Sequence, residues 1–210
     1  APMPTVLFAV PALWPEFHDV LPEALAEAGI AATVVTEAPA HLVDYIVYAP
    51  ASPLQDFTPY TRTKAVLNLW AGVERIVSNP TLTQPLCRMV DPGLTEGMVE
   101  YVTGHVLRHH IGMDAHILGQ DGIWRNRVNR PIARERPVGV LGLGELGRAC
   151  AEALSDLNFP VMGWSRSPKS VAGIACHSGD DGLETVLRAA QILVLLLPLT
   201  EDTRDLLDAR

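Results

Sequence analysis

Lysine is almost missing from this chain of 210 residues: of its 16 basic residues only Lys64 and Lys169 are lysines. That reads as a genomic composition bias, although arginine also offers the better fork for anions. Positive charge as a whole is in deficit, with 24 acidic residues and a formal charge of −8. This argues against a nucleic-acid partner. Cysteine is scarce as well, because Cys87, Cys150 and Cys176 are odd in number, far apart and outside any Cys-x-x-Cys spacing. Neither a disulfide framework nor a zinc site is indicated, and reduced thiols in the cytoplasm are expected. Long apolar runs are also lacking. "ILVLLLPL" (192–199) is too short to span a bilayer and is broken by Pro198. The opening "APMPTVLFAVPALWP" has no basic n-region and is cut by Pro4 and Pro11, so it reads as a first strand and not as a signal peptide. A soluble cytoplasmic protein with no membrane partner is expected.

What the chain does have is apolar residues, 48% of the total, enough for one large α/β domain or two small ones. In the first half, β-rich runs alternate with helical stretches: "TVLFAV" (5–10), "EFHDVLPEALAEAG" (16–29), "AATVV" (31–35), "DYIVYAP" (44–50) and "AVLNLW" (65–70). Strands separated by crossovers imply a parallel sheet. Gly29 stands where a helix wants a left-handed cap, and Pro50 and Pro53 punctuate the loop after the third strand.

The two halves are joined by "TEGMVEYVTGHVLRHHIGMDAHILGQ" (95–120), a long connecting helix with Thr95 as N-cap, Glu96 complementing the dipole, and Met98, Val102, Val106 and Met113 near one face. Gly97, Gly104 and Gly112 each weaken such a helix by about 1 kcal/mol relative to alanine. Either another element approaches closely there, such as a partner subunit, or the weakness is tolerated. An arginine-rich arm from Asp121 to Arg136 follows, with Trp124 its only large apolar anchor.

"PVGVLGLGELG" (137–147) carries the clearest chemistry. The strand ends at Gly142, Gly144 lets the backbone approach a pyrophosphate, and Gly147 allows close packing of the helix that opens near Glu145. Free N–H groups and the dipole at that helix start attract phosphates. The next strand, "PVMGW" (160–164), usually ends in an acid about 20 residues after the glycines, which accepts the ribose hydroxyls of NAD. Here the place reads "WSRSPK" (164–169). Arg166, with Ser165, Ser167 and Lys169, offers donors to the 2′-phosphate of NADP instead. The bland alternative is a solvated basic turn without selectivity, leaving NAD as the other cofactor. "QILVLLLPL" (191–199) reads as a central strand buried on both faces, after which "TEDTRDLLDAR" (200–210) begins a helix.

Five stretches carry a family resemblance: "LWAGVERI" (69–76), "GMVEYV" (97–102), "GLGELG" (142–147), "WSRSPK" (164–169) and "LLLPLTEDTRDLLD" (195–208). Together they resemble the D-2-hydroxyacid dehydrogenases, most of all the glyoxylate and hydroxypyruvate reductase branch, from about Val66 onward. The resemblance implies an α/β fold of two domains. A flavodoxin-like substrate domain would occupy 1–94 and lack its returning C-terminal part. A linker helix and arm would take 95–136, and a truncated, doubly wound Rossmann-type nucleotide domain 137–210. It also implies NADP, or alternatively NAD, as cofactor, with hydride transfer from the reduced nicotinamide of NADPH or NADH to the keto carbon of a short 2-oxo acid. The two sheets would close on a cleft, and the protein would form a homodimer through the linker helix and the Trp124 arm.

By that resemblance the substrate carboxylate would lie on backbone N–H groups of Ala71, Gly72 and Val73, with Trp70 at the wall; the bland reading of "WAGV" is a simple strand-to-helix turn eased by Gly72. Cofactor contacts would come from Gly142, Leu143, Gly144, Glu145, Leu146, Gly147, Trp164, Ser165, Arg166, Ser167 and Lys169. Met98, Leu197, Pro198, Leu199 and Thr203 would complete them. Two departures stand out: Glu74 replaces the usual aspartate, and Trp70 stands where a smaller residue is common. The family's catalytic arginine, glutamate and histidine are expected beyond Arg210, so none is assigned within the chain. His105, His109, His110 and His116 resemble metal ligands only superficially, and with His18, His41 and His177 they are read as neither ligands nor catalysts. Glu100 reads as a buried structural partner for an arginine. Two rivals remain, an NADP-binding sensor or corepressor-like protein without turnover and an inactive fragment.

Overall fold

Alternating strands and crossovers build two parallel sheets in a computed structural model that describes residues 3–124 and 130–208. The chain divides into two compact units, residues 1–90 with 198–210, and residues 91–197.

In the first unit the strands are β1 (Thr5–Phe8), β2 (Thr33–Val35), β3 (Tyr45–Tyr48), β4 (Ala65–Asn68) and β5 (Leu86–Arg88). All pair in parallel in the order β2-β1-β3-β4-β5, the flavodoxin-like arrangement. Alternating side chains feed both faces. Leu7, Ile46, Tyr48 and Val66 pack with Phe57 and Ile76 on one side, and Val6, Phe8 and Val47 with Val10 and Ala49 on the other. Two helices, α1 (Trp14–Phe17) and α2 (Val20–Glu27), stand where one continuous helix was expected. The split lets Trp14 and Phe17 both reach Phe8, with ring centroids at 5.2 and 5.5 Å. Gly29, at φ +69°, ends α2 as expected: its N–H bonds Ala26 O, and the Ile30 N–H bonds Leu25 O.

At the N-terminal ends of these strands sits Asp44, 1% exposed. Its carboxylate accepts from Thr5 N at 2.9 Å and from Arg62 Nε and Nη2 at 3.0 and 3.1 Å. The Thr5 amide, aided by the Arg62 guanidinium, holds that carboxyl below its ordinary range despite burial.

The second unit opens with α3 (Pro92–Ile111), capped by Asp91, whose carboxylate accepts from Leu94 N at 2.8 Å, with Pro92 at the first helical position. The helix therefore starts before Thr95, the cap expected from the sequence. It stops at Gly112, φ +66°, and a short α4 (Met113–Leu118) follows. Gly112 is thus a helix terminus rather than an interior weakness. A β-carbon at Gly97 or Gly104 would meet nothing within 4 Å, so no described residue approaches them closely. Trp124, at the head of the arm, is 87% exposed, and residues 125–129 of the arm lie outside the described residues.

After the arm come β6 (Val138–Leu141), α5 (Glu145–Asp156), β7 (Val161–Ser165), β8 (Ala175–Ser178), α6 (Gly179–Ala189) and β9 (Ile192–Leu195). The parallel order β8-β7-β6-β9 is that of the first four strands of a Rossmann sheet. Val102 and Val106 of α3 join Val138, Val140, Cys150, Leu154 and Phe159 in the core, so the connecting helix packs with this unit. Burial pushes the Cys150 thiol up to about 11. Beyond Leu197, residues 201–207 form turns and not the expected helix, with the Thr203 hydroxyl donating to Pro198 O; Ala209 and Arg210 lie outside the described residues. Among the described residues no helix is long and apolar enough to cross a membrane.

Candidate functional site: a dinucleotide loop and an amide turn

Each glycine of the loop after β6 has its own physical reason. Gly142 adopts φ +104°, and a β-carbon on it would lie 2.6 Å from Leu196 O. Gly147 lets α5 come so close that a β-carbon there would lie 1.7 Å from Gly142 O. Gly144 differs: its backbone is extended (φ −75°, ψ −168°), and a β-carbon would meet nothing within 4 Å. Its bareness therefore serves no contact within the described residues, which fits a site kept clear for another molecule.

Gly144 is also the N-cap of α5, and no side chain caps that helix. The first intrahelical bond runs from Arg148 N to Gly144 O at 2.9 Å, so the N–H groups of Glu145, Leu146 and Gly147 lie at the uncapped end. Amides and dipole together suit a pyrophosphate. The one acid of the first turn, Glu145, lies 3.9 Å from Arg148, which moderates its charge.

Leu143 is 2% exposed because it wedges over Gly163 of β7, where a β-carbon would come within 2.5 Å of it. Its carbonyl accepts from Lys169 Nζ at 2.9 Å. The lysine read from the sequence as a 2′-phosphate donor thus has its ammonium on the dinucleotide loop. The rest of the turn after β7 divides in two. Trp164 and Ser165 are each 7% exposed and face inward, Trp164 Nε1 donating to Gly179 O and Ser165 Oγ to Ser167 O, both at 2.8 Å. Arg166 and Ser167 are exposed. From Ser165 to Ser170 there is no carboxylate, so nothing in this turn repels a phosphate.

In the first unit the turn after β4 has a single organiser that was missed in the sequence. Asn68 is 4% exposed, and its Nδ2 donates to Trp70 O and to Gly72 O, both at 2.8 Å. Trp70 O also accepts from Met89 N at 3.3 Å, and Val73 O from Ile76 N and Val77 N at 3.0 and 2.9 Å. Among the described residues the N–H groups of Ala71, Gly72 and Val73 have no acceptor. Carbonyls held inward beside uncommitted amides make a concavity suited to an anion. Trp70 is 53% exposed and stands outside the core. A β-carbon at Gly72 would lie 2.7 Å from Glu74 Oε2, so the glutamate that replaces an aspartate lies close over the turn. One signal was present in the sequence: an asparagine interrupting the apolar run "AVLNLW".

The other expected contacts scatter. Met98 packs against the core of the second unit. Leu197 closes that unit, with Cδ2 3.1 Å from where a β-carbon of Gly142 would be. Pro198, Leu199 and Thr203 fall in the other unit. There Leu199 is 58% exposed and Thr203 ties the turn through Pro198 O and Thr200 N. His105 rests on Tyr101, with ring centroids 4.4 Å apart. His110 is buried edge-on to Phe159, and burial and the nearby Arg136 lower its pKa. The described residues contain no group of His, Cys, Asp and Glu able to hold a metal ion.

Two parallel sheets, one with a glycine loop opening onto an uncapped helix, define a dinucleotide-binding α/β protein. Residues 103–210 match the family described as D-isomer specific 2-hydroxyacid dehydrogenase, NAD binding domain. The chain is similar to glyoxylate/hydroxypyruvate reductase A of Yersinia enterocolitica, 33% identical over 177 residues, 79% of this chain and 55% of that protein. Among solved structures it is similar to a D-isomer specific 2-hydroxyacid dehydrogenase from Xanthobacter autotrophicus in complex with NADPH and MES. That likeness has a TM-score of 0.80 and 32% identity, and covers all of this chain and 68% of the other. It also resembles the NADPH-dependent glyoxylate/hydroxypyruvate reductase of Sinorhizobium meliloti in complex with NADP and sulfate, with TM-score 0.68, 32% identity and coverage of 96% and 64%. The chain belongs to the D-isomer-specific 2-hydroxyacid dehydrogenase family. It spans about half the length of the curated relatives it matches.

Proposed function

We propose that the protein is an NADP-preferring reductase of short 2-oxo acids of the glyoxylate/hydroxypyruvate type. The observation that carries this reading is the loop 142–147: two glycines are required by backbone contacts, while the third is bare toward open space at the uncapped start of α5. That combination suits a pyrophosphate, which the amides of α5 would hold without a charged side chain. Arg166 and Ser167, exposed in a turn free of acids, would select the 2′-phosphate of NADP over the ribose hydroxyls of NAD. The Ala71, Gly72 and Val73 amides would take the substrate carboxylate, and Trp70 would limit the size of the group beyond the keto carbon. When bound, NADPH supplies the hydride that the keto carbon accepts. We assign substrate binding to 1–94, the connection to 95–136 and nucleotide binding to 137–210.

A cytoplasmic homodimer completes the reading. Ile117, Leu118, Ile123 and Trp124 are 54, 85, 65 and 87% exposed on α4 and the head of the arm, an apolar surface of the kind that a partner subunit covers. The test is consumption of NADPH beside NADH by the full-length gene product with glyoxylate and with hydroxypyruvate, repeated with Arg166→Asp. Turnover should favour NADPH, and the variant should raise the KM for NADPH at least tenfold more than that for NADH, the size of one charge-assisted contact. Equal effects on both cofactors would sink the 2′-phosphate assignment, and tight NADPH binding without turnover would sink the reductase.

A further inference from the structure

A peptide unit is planar and trans, so its C=O and the N–H of the next residue point in opposite directions. Fixing a carbonyl therefore fixes the following amide. Asn68 fixes two: its Nδ2 holds Trp70 O and Gly72 O, which sets the directions of the Ala71 and Val73 N–H groups. Among the described residues the peptide between Ala71 and Gly72 receives no such hold. We propose that Asn68 is a positioning residue that presets the Ala71 and Val73 amides for the carboxylate of a 2-oxo acid, while the Gly72 amide keeps freedom to adjust to it. The inference rests on the reading of this turn as the carboxylate site.

Three observations support it. The side chain is almost completely buried, so its direction is fixed by packing. Its orientation follows from chemistry: the opposite amide flip would turn Oδ1 toward two carbonyl oxygens, both acceptors. And among the described residues Oδ1 is buried without a hydrogen-bond partner, an unfavourable state that folding alone gives no reason to keep. A leucine or valine would fill this strand end without leaving an orphan acceptor. What only an amide at this place supplies is two donors aimed back at one turn.

The test uses the full-length protein and oxamate, an unreactive analogue of a 2-oxo acid. In the wild type, oxamate should shift the amide NMR signals of Ala71 and Val73, and both N–H vectors should be as rigid as core backbone before it is added. Asn68→Ala should raise the KM for glyoxylate and the inhibition constant of oxamate together, by about 10- to 100-fold, the equivalent of one to two hydrogen bonds. The Kd for NADPH should stay within about twofold and kcat change far less than KM, a split that a general loss of structure would not produce. Asn68→Asp, equal in shape but without the donors, should lose at least as much. A folded Asn68→Ala with wild-type oxamate affinity overturns the proposal. So do mobile Ala71 and Val73 amides in the ligand-free wild type, a result that needs no variant to fold. If oxamate leaves both amides unshifted in the wild type, the carboxylate site itself falls, and the assignment of Asn68 with it.

Discussion

Replacing Gly144 and Gly147 separately by alanine divides a binding role from a folding role within one loop. At Gly144 the backbone is one that any residue adopts, and the added methyl meets no described atom. Alanine is a poorer N-cap than glycine, but it also narrows the unfolded ensemble, so stability should change by less than about 1 kcal/mol. Binding should suffer far more. A pyrophosphate displaced by one methyl loses about two charge-assisted bonds from the α5 amides, each worth about 1.5–3 kcal/mol. The affinity for NADPH should then fall roughly 10²- to 10⁴-fold. At Gly147 the same methyl would sit 1.7 Å from Gly142 O, a backbone atom that cannot rotate away. Helix and strand must separate, at a cost of about 1–3 kcal/mol or more, which lowers Tm by several degrees as well as weakening binding. Titrating NADPH by fluorescence and melting each variant tests both arms. A folded Gly144→Ala with wild-type affinity, or a Gly147→Ala with wild-type Tm, would refute the reasoning.

Lys169→Met should weaken NADH and NADPH binding alike, because the lysine's bond is to Leu143 O in the loop common to both; a loss confined to NADPH would place the ammonium on the 2′-phosphate instead. In acid, Asp44 governs the first unit: its carboxyl is held below the ordinary aspartate value of about 3.9, so its stabilisation is complete above that value and disappears as pH falls through the lower folded one. Urea midpoints measured downward from pH 5 should drop steeply in the wild type and stay flatter in an already destabilised Asp44→Asn, and parallel curves would contradict this. Cys150, wholly buried with its thiol raised to about 11, should react with an aromatic disulfide reagent only on unfolding. The exposed Cys87 should react at once, and equal rates would be inconsistent with this packing.

Most of the architecture was legible because it rests on strong local signals. The run "VGVL" followed by three glycines announces a strand, a tight turn and a close-packed helix, and Gly142 and Gly147 prove to have separate backbone reasons while Gly144 stays bare at the helix start. Boundaries were less legible where two signals competed. Thr95 suits an N-cap, yet Asp91 followed by Pro92 caps the helix earlier, and that Asp-Pro pair was there to be read. Short elements escaped for want of periodicity: β5 has only three residues, and the tail 201–207 has helix-forming composition but turns because Thr203 bonds Pro198 and Thr200. Asn68 was hidden for a different reason. Its role depends on which way two carbonyls point, a property of the folded turn that no spacing encodes. Lys169 was picked out for its charge, whereas its bond to Leu143 follows from reach.

The network around Asp44 lies at the N-terminal ends of its strands, while the Asn68 turn follows the C-terminal end of β4. One end of the sheet is locked by buried charge, and the other presents a half-exposed tryptophan that contributes nothing to the core. Such a division makes the first unit evolvable. On the proposed reading of the turn, exchanging residue 70 for smaller or larger side chains would redraw the range of acceptable substrates without loosening the scaffold that holds the turn in place.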